Sequence, residues 1–239
     1  MFVAAVRSVL TYVLVSLYVL IVAPIGMLIA IVTGYVDHLH WLGHGGVRLA
    51  CALAGIKVRM AGRPPIERAV VYCSNHESNV DPPILFDVLH PAMRVLYKRE
   101  LDAIPVLARS FRMGGFLPID RGNRDAAMKS IEAGADAIRK GRSFLIFPEG
   151  TRSRTSELLP FKKGGFIMAI RAQAPIVPVA VQGGRAAMHR GSWIVRPATV
   201  SVRVGEPIET AGYTVEDRHA LIARVKEAIE ILLAEGPIR

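Results

Sequence analysis

The stretch Val70-Val71-Tyr72-Cys73-Ser74-Asn75-His76-Glu77-Ser78-Asn79-Val80-Asp81-Pro82-Pro83 decides how the rest of the chain is read. Val70 to Cys73 are apolar or β-favouring and run out into polar Ser74 and Asn75, the profile of a short buried strand. Pro82 and Pro83 suit the first turn of a following helix, where a missing N–H costs nothing. Asp81 precedes a proline, is pushed out of helical geometry, and is expected to be that helix's N-cap. His76 then falls in a turn between a strand and a helix, where α/β proteins hold their chemistry. On one continuous helix five residues rotate by about 500°, so His76 and Asp81 would diverge by roughly 140°. In a loop that curls onto a helix start they can meet, and a carboxylate on one imidazole nitrogen leaves the other free as a base. Taken alone, the pair is accounted for as well by a capping residue beside an ordinary loop histidine, and the remaining motifs have to choose.

Outward from this stretch, short apolar strands alternate with amphipathic helices. Strands are expected over residues 57–60, 70–73, 94–97, 143–147, 176–181 and 199–204, and helices over 82–89, 104–111, 124–139, 163–173 and 215–234. The last helix has Leu221, Val225, Ile229 and Leu232 along one stripe, with Thr214 as its expected N-cap and Glu216 and Asp217 in its first turn. Such alternation predicts an α/β fold, a mixed, largely parallel central sheet flanked by helices, preceded by an N-terminal apolar helical membrane element. Residues 1–55 are assigned to that membrane-associated element and 56–239 to the α/β domain.

The N-terminal assignment rests on charge. From Ser8 to Val36 there are 29 uncharged, mostly apolar residues, about 44 Å as one helix against a hydrocarbon core of roughly 30 Å. Pro24 and Gly26 sit mid-run, where they would kink a tilted span or turn a re-entrant hairpin. The run is too long, and lacks a following small-x-small site, for a cleaved signal peptide. Trp41 to Ala54 reads as a second lipid-contacting or interfacial helix with its tryptophan near the headgroups. His38, His40 and His44 read as interfacial polar residues rather than metal ligands. Arg7 is the sole charge before Asp37, so all but one of the net +10 lies behind the apolar run. With 51% hydrophobic residues and a mean hydropathy of +0.34, that balance favours an anionic membrane surface as partner. Nucleic acid is disfavoured, since the basic residues are dispersed and form no recognised binding module. The two cysteines, Cys51 and Cys73, give neither a disulfide framework nor a zinc spacing and point to a reducing compartment.

Three further stretches end an apolar run in charged or glycine-rich residues. Gly114-Gly115-Phe116-Leu117-Pro118-Ile119-Asp120-Arg121 presents Arg121. Phe144-Leu145-Ile146-Phe147-Pro148-Glu149-Gly150-Thr151-Arg152-Ser153-Arg154 opens a buried strand into one carboxylate and two guanidiniums, and Lys162-Lys163-Gly164-Gly165 follows. Arginines beyond strand ends, near backbone N–H groups, grip a phosphate bidentately. A surface salt bridge explains any one of them but not their common placement.

Asn75-His76 through Asp81, followed in order by Lys98-Arg99-Glu100-Leu101 with Pro105, Phe116 to Arg121, Phe147 to Arg152 and Ala174-Pro175-Ile176-Val177-Pro178-Val179, resembles the lysophospholipid acyltransferase family, and most closely its 1-acylglycerol-3-phosphate acyltransferase branch. The resemblance covers roughly residues 57 to 205. It implies transfer of a fatty acyl group from acyl-CoA or acyl carrier protein to the sn-2 hydroxyl of lysophosphatidate, giving phosphatidate. It also implies a mixed-sheet core, a place on the cytoplasmic face of the inner membrane, and a two-helix apolar element that favours one-sided insertion over a span.

The residues supply a chemistry of their own that agrees. Attack of an alcohol on a thioester needs a proton removed as the bond forms. His76 is the expected general base and Asp81 its orienter, an arrangement like a Ser-His-Asp triad whose serine is the substrate's own hydroxyl. Arg121 and Arg152, aided by Lys98, are expected to clamp the acceptor phosphate. Glu149, with Gly150 and Thr151 beside it, either bonds a glycerol hydroxyl or locks an arginine. No metal and no redox cofactor enters this scheme. Two other expectations stay open: the same transfer onto another lyso-lipid, such as a lyso-ornithine lipid, and a non-catalytic protein that binds anionic membranes.

Overall fold

The computed structural model describes residues 2–120, 122–155 and 157–238. Val71–Ser74 forms a strand (β2) buried on both faces, as a four-residue run of this composition should in a covered sheet. Its neighbours are β5 (Phe144–Ile146) on one side and β6 (Ile176–Gln182) on the other, both parallel. Outward from β5 follow β3 (Arg94–Lys98) and β4 (Leu117–Ile119), also parallel. Beyond β6 lies β7 (Ala198–Val204), antiparallel to it, and then β1 (Ile56–Ala61), parallel to β7. The order β1-β7-β6-β2-β5-β3-β4 makes a mixed, mostly parallel seven-stranded sheet. Five parallel strands therefore end along one edge, and that edge receives the loops carrying the predicted site.

Alternation along the strands divides the core. Tyr72, Leu145, Val177 and Val179 face α3 (Asp81–Leu89), where Ile84, Leu85 and Leu89 pack. Val71, Cys73, Phe144, Ile146 and Ile176 face α5 (Arg124–Arg139), α6 (Gly164–Ala172) and α8 (Arg218–Ala234). The predicted stripe of α8 buries Leu221, Val225 and Ile229. Its expected cap does not form: Asp217 Oδ2 accepts from Thr214 N and Oγ1, both at 2.8 Å, and this turn delays the helix to Arg218.

The N-terminal region differs from expectation in where it turns. α1 (Phe2–Thr33) runs through Pro24 without ending, and the chain reverses at residues 34–37, where Gly34 has φ 71°. α2 (His38–Ala54) then returns along α1. Gly26 is the point of close approach, not the turn: a Cβ there would lie 2.6 Å from Leu42 Cδ1. Tyr18 donates its hydroxyl to Leu42 O at 2.7 Å across the same seam. α2 puts Val47 and Cys51 on the core and leaves Trp41 exposed. Two of its three histidines correct the interfacial reading. His40 is buried between Phe86 and Phe116, and His44 is buried with its ring nitrogens 2.9 Å from Asp87 Oδ1 and Pro91 O.

α1 is bonded to the α/β domain at both ends of its middle stretch. Buried Ser8 accepts from Val195 N at 2.8 Å, Tyr12 donates to Trp193 O at 2.6 Å, and Ser110 Oγ of α4 (Pro105–Met113) lies 3.6 Å from Met27 Sδ of α1. From Ser8 to Met27 is about 28 Å of helix, so α1 lies along the domain. Its other flank exposes Leu10, Leu17, Leu20, Ile21 and Leu28. By length and composition α1 is long and apolar enough to cross a membrane.

Candidate functional site

The site begins where β2 runs out. The ladder ends at Ser74, and the side-chain amide of Asn75 clasps the end of β6, accepting from Val181 N at 2.7 Å and donating to Val181 O at 2.9 Å. That clasp turns the chain outward at His76. Two residues on, Ser78 anchors the loop by donating its hydroxyl to Met188 O at 2.7 Å. The loop then closes on Asp81, the first residue of α3, with Pro82 and Pro83 in the first turn.

Asp81 does not cap its own helix, contrary to the reading from sequence. The N-cap position falls on Val80, and the Asp81 side chain reaches back over the loop. Its Oδ2 accepts from Glu77 N at 2.7 Å and Ser78 N at 2.6 Å, and lies 3.0 Å from His76 Nδ1. The carboxylate is fully buried and the imidazole is 15% exposed. An ionised carboxylate accepts only, so a neutral His76 carries its proton on Nδ1 and presents Nε2 as a free lone pair. The Phe147 ring lies against this imidazole, centroids 4.4 Å apart.

The loop after β5 is tied to the same histidine. Glu149 is 3% exposed, and its two oxygens accept from His76 N at 2.8 Å and Leu159 N at 3.0 Å. Burial pushes its carboxyl pKa up, and the N–H groups of Leu159 and His76 pull it back down. Glu149 thus braces two loops against each other, where sequence offered a substrate hydroxyl or an arginine as its partner. Gly150 has φ 68° and makes a tight turn, donating its N–H to Phe147 O at 3.0 Å. A Cβ there would lie 2.8 Å from Lys162 Cε. Thr151 is exposed and Arg152 half-buried. Ser153 N donates to His76 O at 2.9 Å, which brings the backbone at Arg152 beside that of the histidine. Lys98, at the end of β3, is 57% exposed and 3.2 Å from Glu100. Its strand is two places from β2, roughly 10 Å by strand spacing. Arg121 lies outside the described residues; its neighbour Asp120, just past β4, reaches the same sheet edge and lies 3.4 Å from Arg99 Nη1.

Several participants escaped sequence reading. Arg190 Nη1 donates to Arg152 O at 2.8 Å, and Arg185 donates to Thr155 O, so two guanidiniums from the β6–β7 connection border the loop. Glu77 accepts from Gly183 N at 3.2 Å and Arg185 N at 3.4 Å, and its carboxyl pKa is raised by burial and then by the Asp81 charge. Nothing in the spacing signals these, because their partners stand 30 to 108 residues away in the chain.

Residues 56–182 match a family model described as Acyltransferase. Among relatives, the 1-acyl-sn-glycerol-3-phosphate acyltransferase of Cocos nucifera is 32% identical over 203 residues, covering 81% of this chain and 66% of that protein. The protein of the same name from Salmonella typhimurium is 33% identical over 201 residues, covering 83% and 81%. The match thus spans slightly less than two thirds of the plant relative's length. In fold, the chain resembles the crystal structure of the 1-acyl-sn-glycerophosphate (LPA) acyltransferase from Thermotoga maritima, with a TM-score of 0.84 over 100% of this chain and 99% of that one at 20% identity.

Proposed function

The chain belongs to the Acyltransferase family, and from that premise we propose that it is a 1-acyl-sn-glycerol-3-phosphate O-acyltransferase, taking the acyl group from acyl-CoA or acyl carrier protein. The observation that carries this is the His76 Nδ1 to Asp81 Oδ2 pair at 3.0 Å, its carboxylate fixed by two further N–H groups. His76 Nε2 takes the proton of the sn-2 hydroxyl as the oxygen attacks the thioester carbonyl. The tetrahedral intermediate then collapses, the carbon–sulfur bond breaks, and the imidazolium returns its proton to the leaving thiolate. Asp81 holds the tautomer and faces the positive charge that develops on the ring. Arg152, with Arg121 and Lys98, binds the acceptor phosphate and so keeps the hydroxyl near His76. Glu149, Gly150 and Thr151 shape the loop that presents Arg152.

The exposed flank of α1 rests in one leaflet, with the basic domain against an anionic surface at the cytoplasmic face. One-sided insertion is supported by the bonds of Ser8 and Tyr12 to residues 193–195, which lay the helix on the domain.

The test is an acyl-transfer assay on the purified full chain with lysophosphatidate and other lyso-lipids, including a lyso-ornithine lipid. The expected result is phosphatidate from lysophosphatidate, turnover lost by orders of magnitude in His76→Ala, and a raised KM for lysophosphatidate in Arg152→Ala. Retained turnover in folded His76→Ala refutes the catalytic assignment. An unchanged KM in Arg152→Ala, with another acceptor preferred, refutes the substrate.

A further inference from the structure

Behind the His76–Asp81 pair stands a piece of chain at which the His-x4-Asp spacing gives no hint. β6 ends at Gln182, and Gly183 and Gly184 carry the chain into α7 (Gly184–Ala187) against the back of Asp81. Gly183 has φ 96°, and a side chain there would run into Thr199 O of β7. Gly184 has no such backbone demand, but a methyl group on it would overlap Asp81 Oδ1 and come within 3.2 Å of Ser78 Cβ. The hydrogen that stands in that direction points at Oδ1, a weak C–H···O contact. Oδ1 is buried and has no hydrogen-bond partner among the described residues. Glu77, the residue after His76, holds the two pieces together through the N–H groups of Gly183 and Arg185.

We propose that Gly184, held in place by Glu77, is a positioning residue that sets the orientation of the Asp81 carboxylate and, through it, of the His76 ring. Oδ2 meets three donors at 2.6 to 3.0 Å, and one rotation about the Cβ–Cγ bond satisfies them together. In that rotation Oδ1 occupies the space that a side chain at position 184 would fill. Any larger residue turns the carboxylate and withdraws Oδ2 from Nδ1, so the ring loses its tautomer and its aim. This rests on the catalytic reading of His76 given above.

A double-mutant cycle tests it on the full chain: Gly184→Ala, Asp81→Ala and the double variant, with His76→Ala measured alongside. Gly184→Ala is expected to lower kcat by about 100-fold, the cost of a displacement on the order of 1 Å in a catalytic group, with KM for both substrates unchanged. In Asp81→Ala no carboxylate oxygen remains to be displaced and only the approach to Ser78 Cβ is left, so adding Ala at 184 is expected to cost far less in kcat and in Tm than it does in the wild-type background. Undiminished kcat in Gly184→Ala overturns the proposal. So does the same fractional loss and the same fall in Tm in both backgrounds, which would mark a plain packing requirement. If turnover of Asp81→Ala falls below detection, the Tm cycle decides. An active His76→Ala would instead remove the catalytic reading, and the Tm cycle would still report whether Asp81 and Gly184 are coupled.

Discussion

Asp81→Asn alters the charge of the pair with the least change in shape, and its consequences can be worked from the geometry. All three groups around Oδ2 are N–H donors, so the amide oxygen must take that position. The NH2 is then forced into the slot at Gly184, where Oδ1 has no hydrogen-bond partner among the described residues. A buried donor left unpaired costs about 1–3 kcal/mol of stability, and each kcal/mol lowers Tm by about 2–4 °C for a domain of this size. The reaction loses more. On the proposed mechanism His76 becomes an imidazolium as it accepts the proton, and in the wild type it faces a full negative charge. Two unit charges about 4 Å apart at an effective dielectric of about 20 attract by about 4 kcal/mol, which is about three powers of ten in rate. Following thiol release from acyl-CoA in the presence of lysophosphatidate, kcat is expected to fall about 1000-fold while KM for both substrates holds. A folded Asp81→Asn protein whose kcat stays within about tenfold of wild type would show that the carboxylate charge is not used in the transition state.

Two further outcomes come from the supporting contacts. Ser8→Ala leaves the Val195 N–H, bonded at 2.8 Å in a buried position, without its acceptor; stability should fall by about 1–3 kcal/mol, and hydrogen exchange at the Val195 amide should accelerate. Exchange there as slow as in wild type would mean that α1 is not tied to residues 193–195. Burial holds the Glu149 carboxyl above its ordinary 4.5, so its contribution to folding is fully present below 4.5 and is lost as pH rises through the raised value. The stability of wild type relative to Glu149→Gln should therefore be greatest in acid and diminish toward neutrality in thermal melts at stepped pH. A difference that does not vary with pH contradicts this.

Local pattern was enough for the class of fold and for one chemical pair. Buried runs such as Val71 to Ser74 and the 3.6-residue stripe of α8 report burial within a few residues of themselves, so strands, helices and a largely parallel sheet could be named from the chain alone. His76 and Asp81 were legible for the same reason, since five residues of loop leading into Pro82 and Pro83 suffice to bring them together. The role of Asp81 was not: a helix-start aspartate looks the same whether it caps its own helix or bonds backward to Glu77, Ser78 and His76. The turn at residues 34–37 was missed because Pro24 and Gly26 break isolated helices, whereas here Gly26 lets α2 approach and packing overrides propensity. His40 and His44 looked interfacial until Phe86, Phe116 and Asp87 closed around them. Glu149 against His76 N, Asn75 against Val181 and Gly184 against Asp81 were decided wholly by tertiary structure, because each depends on which strands lie beside β2. Periodicity records how far a residue is buried; it carries no record of strand order, and strand order chooses every neighbour of this site that is distant in sequence.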